Sequence, residues 1–139
     1  MNSSSVLDCA LIQLPKINLE AGSITAINEL RELPFPIKRI YFLYDVPSGV
    51  DRGGHAHKEL QQLIIAVSGS FDLIVDDGKK KLTFNLNRPS VGVLMPSGLW
   101  RELLNFSSGS ICLVLASHEY DENDYVREYE QFKRMKYDS

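Results

Sequence analysis

Short segments rich in β-branched and aromatic residues, separated by turn signals, constrain the fold of this chain most strongly. Phe71, Leu73 and Val75 occupy alternate positions of one segment, as expected where one face of a strand is buried. The segment 82–86 repeats the alternation after Asp76-Asp77-Gly78, whose Asp-Gly pair favours a type I′ hairpin turn. The pattern predicts an all-β domain.

Ten segments of this kind are predicted as strands. Their predicted bounds are 10–13, 22–28, 37–44, 54–57, 61–68, 69–76, 80–86, 91–95, 100–106 and 111–117. Many short strands at this spacing favour a sandwich or a barrel. A length of 139 residues suits one compact domain, so residues 1–139 are interpreted as a single domain.

The C-terminal segment changes to a helical pattern. Asp121 is a candidate N-cap, and Tyr125, Tyr129 and Phe132 then form an apolar stripe at helical spacing. We therefore expect a helix at about residues 122–136 that covers one side of the β domain.

Charge and hydropathy exclude several classes of function. A net charge of −3 and a pI of about 5.6 leave no electrostatic footprint for nucleic acid or anionic membrane. No apolar run approaches the ~20 residues that span a bilayer, and Met1–Asp8 lacks the pattern of a secretory signal. We expect a cytoplasmic protein in which Cys9 and Cys112 are buried thiols, although a disulfide between them stays open.

Residues Arg52–His57 carry the strongest candidate for chemistry. His55 and His57 lie two positions apart in a predicted strand, so their side chains share a face. Two imidazoles beside an arginine could form a metal site or a proton-transfer site. A hydrogen-bonded pair without chemistry is the structural alternative.

The His55-x-His57 motif, followed by an apolar strand, resembles the first motif of the cupin superfamily. The resemblance implies a cupin-type β-barrel or jelly roll. Gln61 and Gln62 stand at the positions of the motif's glutamate, and Arg101 stands where the second cupin motif has a histidine. Glutamine is a weak ligand and arginine stays cationic, so too few ligands remain and we expect no metal.

A closer resemblance covers the chain from about residue 22 to residue 132. The segments 35–41, 52–58, 75–78 and 115–125 resemble the sugar-nucleotide 3,4-ketoisomerases, cupins that act on dTDP-4-keto-6-deoxyglucose. This resemblance implies an enzyme without metal or organic cofactor. It also implies a homodimer, often with an N-terminal strand exchanged between subunits.

Ketone migration from C4 to C3 needs a base, an acid and stabilisation of an enediol. The resemblance assigns His55 and His57 as base and acid, with roles that the sequence does not separate. Tyr41 could donate to the ketone oxygen or relay a proton; the alternative is an aromatic core residue.

Four further residues are assigned to substrate binding. Arg52 could clamp the diphosphate, or be a solvated loop charge. Gln62 would hydrogen-bond the sugar if it points inward, and would otherwise have no role. Trp100 could stack on the sugar or thymine, although filling the barrel mouth is favoured. Lys58, which continues the histidine motif, completes the set.

Arg101 is the main point of variation within the ketoisomerases, because related enzymes carry histidine or arginine after this tryptophan. These enzymes form either the galacto or the gluco configuration at C4. A permanent cation beside the sugar could change the face that is reprotonated, and we predict the gluco product. Ala21 also replaces a larger polar residue of some relatives, which leaves room in the pocket.

Three other functions stay open from the sequence. A dTDP-sugar 3,5-epimerase shares the cupin barrel and abstracts a proton beside a ketone. A non-catalytic cupin would bind a sugar nucleotide without exchange of its protons. A metal-dependent oxygenase or sugar-phosphate isomerase would contain stoichiometric metal.

Overall fold

Alternating apolar residues fold into two antiparallel sheets that pack face to face, in a computed structural model that describes residues 1–47 and 49–137. The strands are β1 (Ala10–Gln13), β2 (Lys16–Leu19), β3 (Gly22–Thr25), β4 (Arg39–Leu43), β5 (Arg52–His57), β6 (Gln62–Ser68), β7 (Phe71–Asp76), β8 (Lys81–Leu86), β9 (Val91–Met95), β10 (Trp100–Leu104), β11 (Ile111–Ala116) and β12 (Tyr125–Val126). The helix is α1 (Tyr129–Tyr137), and 3₁₀ turns lie at Val6–Asp8 and Glu122–Asp124.

The two sheets have five strands each. The first has the order β1-β9-β6-β11-β4 and the second the order β12-β5-β10-β7-β8, while β2 and β3 pair as a separate hairpin. The predicted all-β class with a C-terminal helix is confirmed. All ten predicted strands are present with small shifts of their bounds, whereas β2 and β12 were not predicted.

The main core lies between the sheets. Phe71, Leu73 and Val75 are fully buried, as their alternation predicted. The matching pattern in β8 is only partly buried, since Leu86 is enclosed but Leu82 is exposed. The reason is that β8 is the edge strand of its sheet, where few neighbours cover a side chain.

A second apolar cluster covers the other face of the first sheet. Leu33 and Phe35, from the segment between β3 and β4, pack against Leu63 and Ile65 of β6 and Leu115 of β11. Strand β6 is therefore buried on both faces. Its nearly continuous apolar sequence follows from this double burial.

The expected helix at about 122–136 is wrong at its start, because α1 begins at Tyr129. The preceding residues form a 3₁₀ turn, capped by Asp121, whose side chain accepts from the Asn123 backbone N–H at 3.0 Å. Strand β12 then pairs with β5, which places Tyr125 opposite His57. Backbone pairing at a sheet edge thus overrides the helical spacing of the aromatic residues.

Two smaller expectations are also resolved. The β7–β8 connection spans residues 77–80 and is not a two-residue type I′ turn; the Asp77 carboxylate accepts from the Lys79 and Lys80 backbone N–H groups, and only Gly78 has positive φ there. Cys9 and Cys112 are both free, the first half-buried and the second buried. Burial raises the pKa of both the Cys9 and the Cys112 thiol to about 12.

None of the helices within residues 1–47 and 49–137 is long and apolar enough to cross a membrane.

The packing of α1 on the second sheet gives a stability prediction. Phe132 is fully buried against Ala56, Trp100 and Val126. Phe132→Ala should lower the free energy of unfolding by about 3–5 kcal/mol, because it leaves a cavity under the helix. The exposed neighbour Gln131→Ala should change it by less than about 0.5 kcal/mol. Chemical denaturation measures both, and equal effects of the two substitutions would contradict this packing.

Candidate active site

A cavity of about 300 Å³ opens beside the histidine strand β5. Its wall contains one histidine, two tyrosines, one leucine and four arginines. These residues are His55, Tyr41, Tyr125, Leu43, Arg39, Arg52, Arg101 and Arg127. The dense positive charge suits an anionic ligand.

Strand periodicity and register bring these side chains together. Arg39 and Tyr41 alternate along β4 with Ile40 and Phe42, which are exposed on the outer face, so the first two face the cavity. In the second sheet, Arg101 of β10 lies directly opposite His55 of β5. The arginine and the histidine therefore share one inner face.

The two histidines form a hydrogen-bonded pair. His55 Nε2 lies 3.2 Å from His57 Nε2, and His57 Nδ1 lies 2.9 Å from Asp124 Oδ2. Both imidazoles are buried. Only His55 reaches the cavity wall, so His57 lies behind it and connects it to the carboxylate.

Burial keeps both imidazoles neutral. Desolvation, followed by the charge of Arg101, lowers the pKa of His55 to about 2. The same two causes lower the pKa of His57 to about 4, partly opposed by Asp124, which favours the protonated form. At neutral pH each ring therefore has one nitrogen lone pair that can accept a proton.

Arg101 is buried yet has free donors. Its Nη2 donates to the Tyr41 hydroxyl oxygen at 2.8 Å, and the side chain is only 2% exposed. Within residues 1–47 and 49–137, its Nε and Nη1 have no hydrogen-bond partner. A buried cation with unused N–H groups is costly by itself, so the site is suited to an oxygen-rich or anionic ligand.

Arg39 and Arg127, two of the four cavity arginines, each lie against a tyrosine ring. The Arg39 guanidinium lies 4.8 Å from the Tyr41 ring centroid, and its Nη2 donates to the Tyr125 hydroxyl at 3.3 Å. The Arg127 guanidinium lies 4.3 Å from the Tyr125 centroid and forms two hydrogen bonds with Glu122, at 2.6 and 2.8 Å. These contacts position the cations at the cavity wall.

The structure brings Tyr41, Arg52, His55 and Arg101 to one cavity, with His57 directly behind.

The other three predicted site residues do not line this cavity. Gln62 is buried, and its Nε2 donates to Met95 Sδ at 3.7 Å. Trp100 packs under α1, and the centroids of the Trp100 and Phe132 rings are 6.0 Å apart. Lys58 is exposed, and its backbone N–H donates to the Asp124 carbonyl. Their assignment to substrate binding stays a prediction.

Three residues of the site, Arg39, Arg127 and Asp124, were not assigned a catalytic or binding role from the sequence. Arg39 precedes Tyr41 by two positions, and Arg127 follows Tyr125 by two, so same-face spacing could have identified both arginines. Asp124 was interpreted as part of a helix start. Only the tertiary structure places it against His57.

Within residues 1–47 and 49–137, no group of three or more His, Cys, Asp or Glu side chains is arranged to hold a metal ion. Metal independence itself stays a prediction.

Comparison with known proteins identifies a common family. The family model FdtA, described as WxcM-like, C-terminal, matches residues 7–137. A TDP-4-oxo-6-deoxy-alpha-D-glucose-3,4-oxoisomerase of Aneurinibacillus thermoaerophilus is 41% identical over 124 residues, which cover 89% of each chain.

Two solved structures are similar along nearly their whole length. A 3,4-ketoisomerase from Helicobacter canadensis is 44% identical with a TM-score of 0.90, and the match covers 92% of this chain and 96% of that one. The WlaRB TDP-quinovose 3,4-ketoisomerase from Campylobacter jejuni is 43% identical with a TM-score of 0.88, covering 93% of this chain and 99% of that one.

The contact between Arg101 and the histidines predicts a change in their titration. Arg101→Gln removes a positive charge that disfavours the imidazolium forms, so the pKa of both histidines should rise. The midpoint of His57 should move upward from about 4 by about one pH unit. Proton NMR of the imidazole C–H signals measures this, with the exposed Arg88→Gln as control. Unchanged titration midpoints of His55 and His57 in Arg101→Gln would contradict the conclusion that the Arg101 charge lowers their pKa.

Proposed function

Because this chain belongs to the FdtA family of WxcM-like sugar-nucleotide 3,4-ketoisomerases, we propose that it converts TDP-4-keto-6-deoxyglucose to the 3-keto isomer. The observation that carries the proposal is a neutral histidine at the wall of a cavity lined by four arginines. The histidine supplies a proton acceptor, and the arginines match a nucleotide diphosphate.

The first step is proton removal from C3. His55 is assigned as the base because it reaches the cavity, whereas His57 does not. The electron pair of the broken C3–H bond forms the C3–C4 double bond, and the C4 carbonyl oxygen becomes an enediolate oxygen. The unused N–H groups of Arg101 are suited to stabilise that negative charge.

The second step moves the carbonyl to C3. Tyr41 accepts a hydrogen bond from Arg101, so its own O–H proton remains free to be donated. It is assigned as the relay that gives a proton to O4 and takes one from O3. The electrons on O3 then form the C3 carbonyl, and the electrons of the C3–C4 double bond take a proton at C4. The imidazole pair supplies that last proton and returns to its neutral form.

The remaining arginines account for nucleotide binding. Arg39, Arg52 and Arg127 line the same cavity as His55 and carry full charge at neutral pH. Guanidinium groups pair with phosphate oxygens through two parallel hydrogen bonds. Binding of the diphosphate would fix the sugar next to the histidines.

The gluco configuration at C4 is the proposed product. Arg101 cannot release a proton at accessible pH, so the donor to C4 is an imidazole, and the guanidinium constrains the position of the sugar. The name of the 43% identical Campylobacter jejuni relative refers to quinovose, a sugar of gluco configuration. This relative supports the same product for this chain.

A homodimer is proposed from the apolar surface of the N-terminal hairpin. Ile17, Leu19 and Ile24 of β2 and β3 are each more than half exposed. The hairpin forms a sheet of its own, paired with neither of the larger sheets. A second copy of the chain that covers these side chains would remove apolar area from water.

The reaction can be tested by NMR of TDP-4-keto-6-deoxyglucose with the purified protein and EDTA. In D2O we expect the 3-keto sugar with deuterium at C4 and none at C5. In H2O, a large coupling between H4 and H5 would report the gluco product. His55→Gln should lower kcat by about 10²–10⁴-fold, while His118→Gln, outside the cavity, serves as the control.

Other outcomes of this experiment have distinct meanings. Deuterium at C5 would favour the 3,5-epimerase. TDP binding without any exchange would favour a non-catalytic sugar-nucleotide-binding protein. Loss of activity with EDTA would overturn metal independence, and a small H4–H5 coupling would overturn the gluco configuration.

The dimer can be tested by light scattering. Ile17→Asp combined with Ile24→Asp should shift the molar mass from dimer toward monomer, because charges cannot be buried in an apolar interface. Leu82→Asp, on the edge strand β8, should leave the dimer intact. A monomeric wild-type protein would contradict the proposal directly.

A further inference from the structure

Asp124 is fixed behind the histidine pair by the backbone. Its Oδ1 accepts from the Glu59 N–H at 2.7 Å, and its Oδ2 accepts from the Leu60 N–H at 3.4 Å. Oδ2 also lies 2.9 Å from His57 Nδ1. The carboxylate is therefore oriented by groups that are not free to rotate, and its side chain is 11% exposed.

Asp124 does not reach the substrate cavity. It lines a separate cleft of about 660 Å³, together with Lys38, Ser117 and His118. His55 belongs to the first cavity, and Asp124 belongs only to the second. Any effect of Asp124 on chemistry must therefore pass through His57.

The hydrogen bonds of His57 and His55 determine which ring nitrogen carries the proton in each imidazole. An ionised carboxylate only accepts, so His57 must carry its proton on Nδ1. The Nε2 of neutral His57 is then an acceptor, and the 3.2 Å contact requires His55 to carry its proton on Nε2. The remaining acceptor lone pair of the two rings then lies on His55 Nδ1, the ring nitrogen of His55 that does not contact His57.

We propose that Asp124 is a positioning residue that fixes the tautomers of His57 and His55 and thereby places the base lone pair on His55 Nδ1. This inference rests on the proposed isomerase function for its effect on rate. The tautomers themselves do not depend on that function. After proton removal the charge on His55 is shared through its Nε2–H with His57, and the carboxylate stabilises it.

Asparagine at position 124 separates this role from a simple space-filling one. In the wild type the Glu59 N–H and His57 Nδ1 contact different carboxylate oxygens, and an amide has an oxygen at only one of these two positions. With the oxygen retained at the Glu59 N–H, the amide NH2 would face His57 Nδ1. His57 would then be protonated on Nε2, His55 on Nδ1, and the base lone pair would be lost.

The first test is the tautomer itself, measured by long-range ¹H–¹⁵N NMR of the unliganded protein. Wild type should show His57 protonated on Nδ1 and His55 on Nε2, and Asp124→Asn should show both reversed. Glu119→Gln changes an exposed carboxylate in the same cleft and should keep the wild-type tautomers. Wild-type His57 protonated on Nε2 would overturn the proposal, whether or not the protein is an isomerase.

The second test is kinetic. Asp124→Asn should lower kcat by about 10²-fold or more, with KM and TDP affinity close to wild type, while Asp124→Glu should restore part of kcat. Equal kcat in Asp124→Asn and wild type would overturn the positioning role. A wild-type protein that shows the expected tautomers but no isomerisation would instead refute the proposed function.

Discussion

The buried guanidinium of Arg101 is the constraint on which the rest of the site depends. A cation removed from water needs several hydrogen-bond partners, yet the described residues give Arg101 one, the Tyr41 hydroxyl. Its charge also lowers the pKa of both neighbouring histidines. The unpaired donors follow from this buried charge, whereas the neutral bases follow first from desolvation and then from the same charge.

The protein can hold this charge because the surrounding sheets are well packed. The central strand β6 of the first sheet is buried on both faces, by the main core on one side and by Leu33 and Phe35 on the other. The edge strand β4 of the same sheet carries Arg39 and Tyr41, and the second sheet carries His55 and Arg101 on adjacent strands. Side chains on such strands are held more precisely than side chains on loops, which suits an arrangement of hydrogen-bonded histidines.

The segment that departs most from its predicted structure supplies three of the site's residues. The 3₁₀ turn and β12 replace the expected first turns of a helix at residues 122–128. The turn presents Asp124 to His57, and pairing of β12 with β5 directs Tyr125 and Arg127 toward the cavity. A continuous helix would leave the edge of β5 unpaired, so this local irregularity serves both the fold and the site.

The sequence alone determined ten of the twelve strands and the shared face of the two histidines, because side chains alternate with a period of two along any strand. Motif resemblance added Arg52, Tyr41 and Arg101 as candidates. Only the tertiary structure decided that Arg101 lies opposite His55, and that Asp124 contacts His57 from 67 positions away. Strand register and long-range carboxylate contacts depend on how distant segments pack, and local periodicity carries no information about that packing.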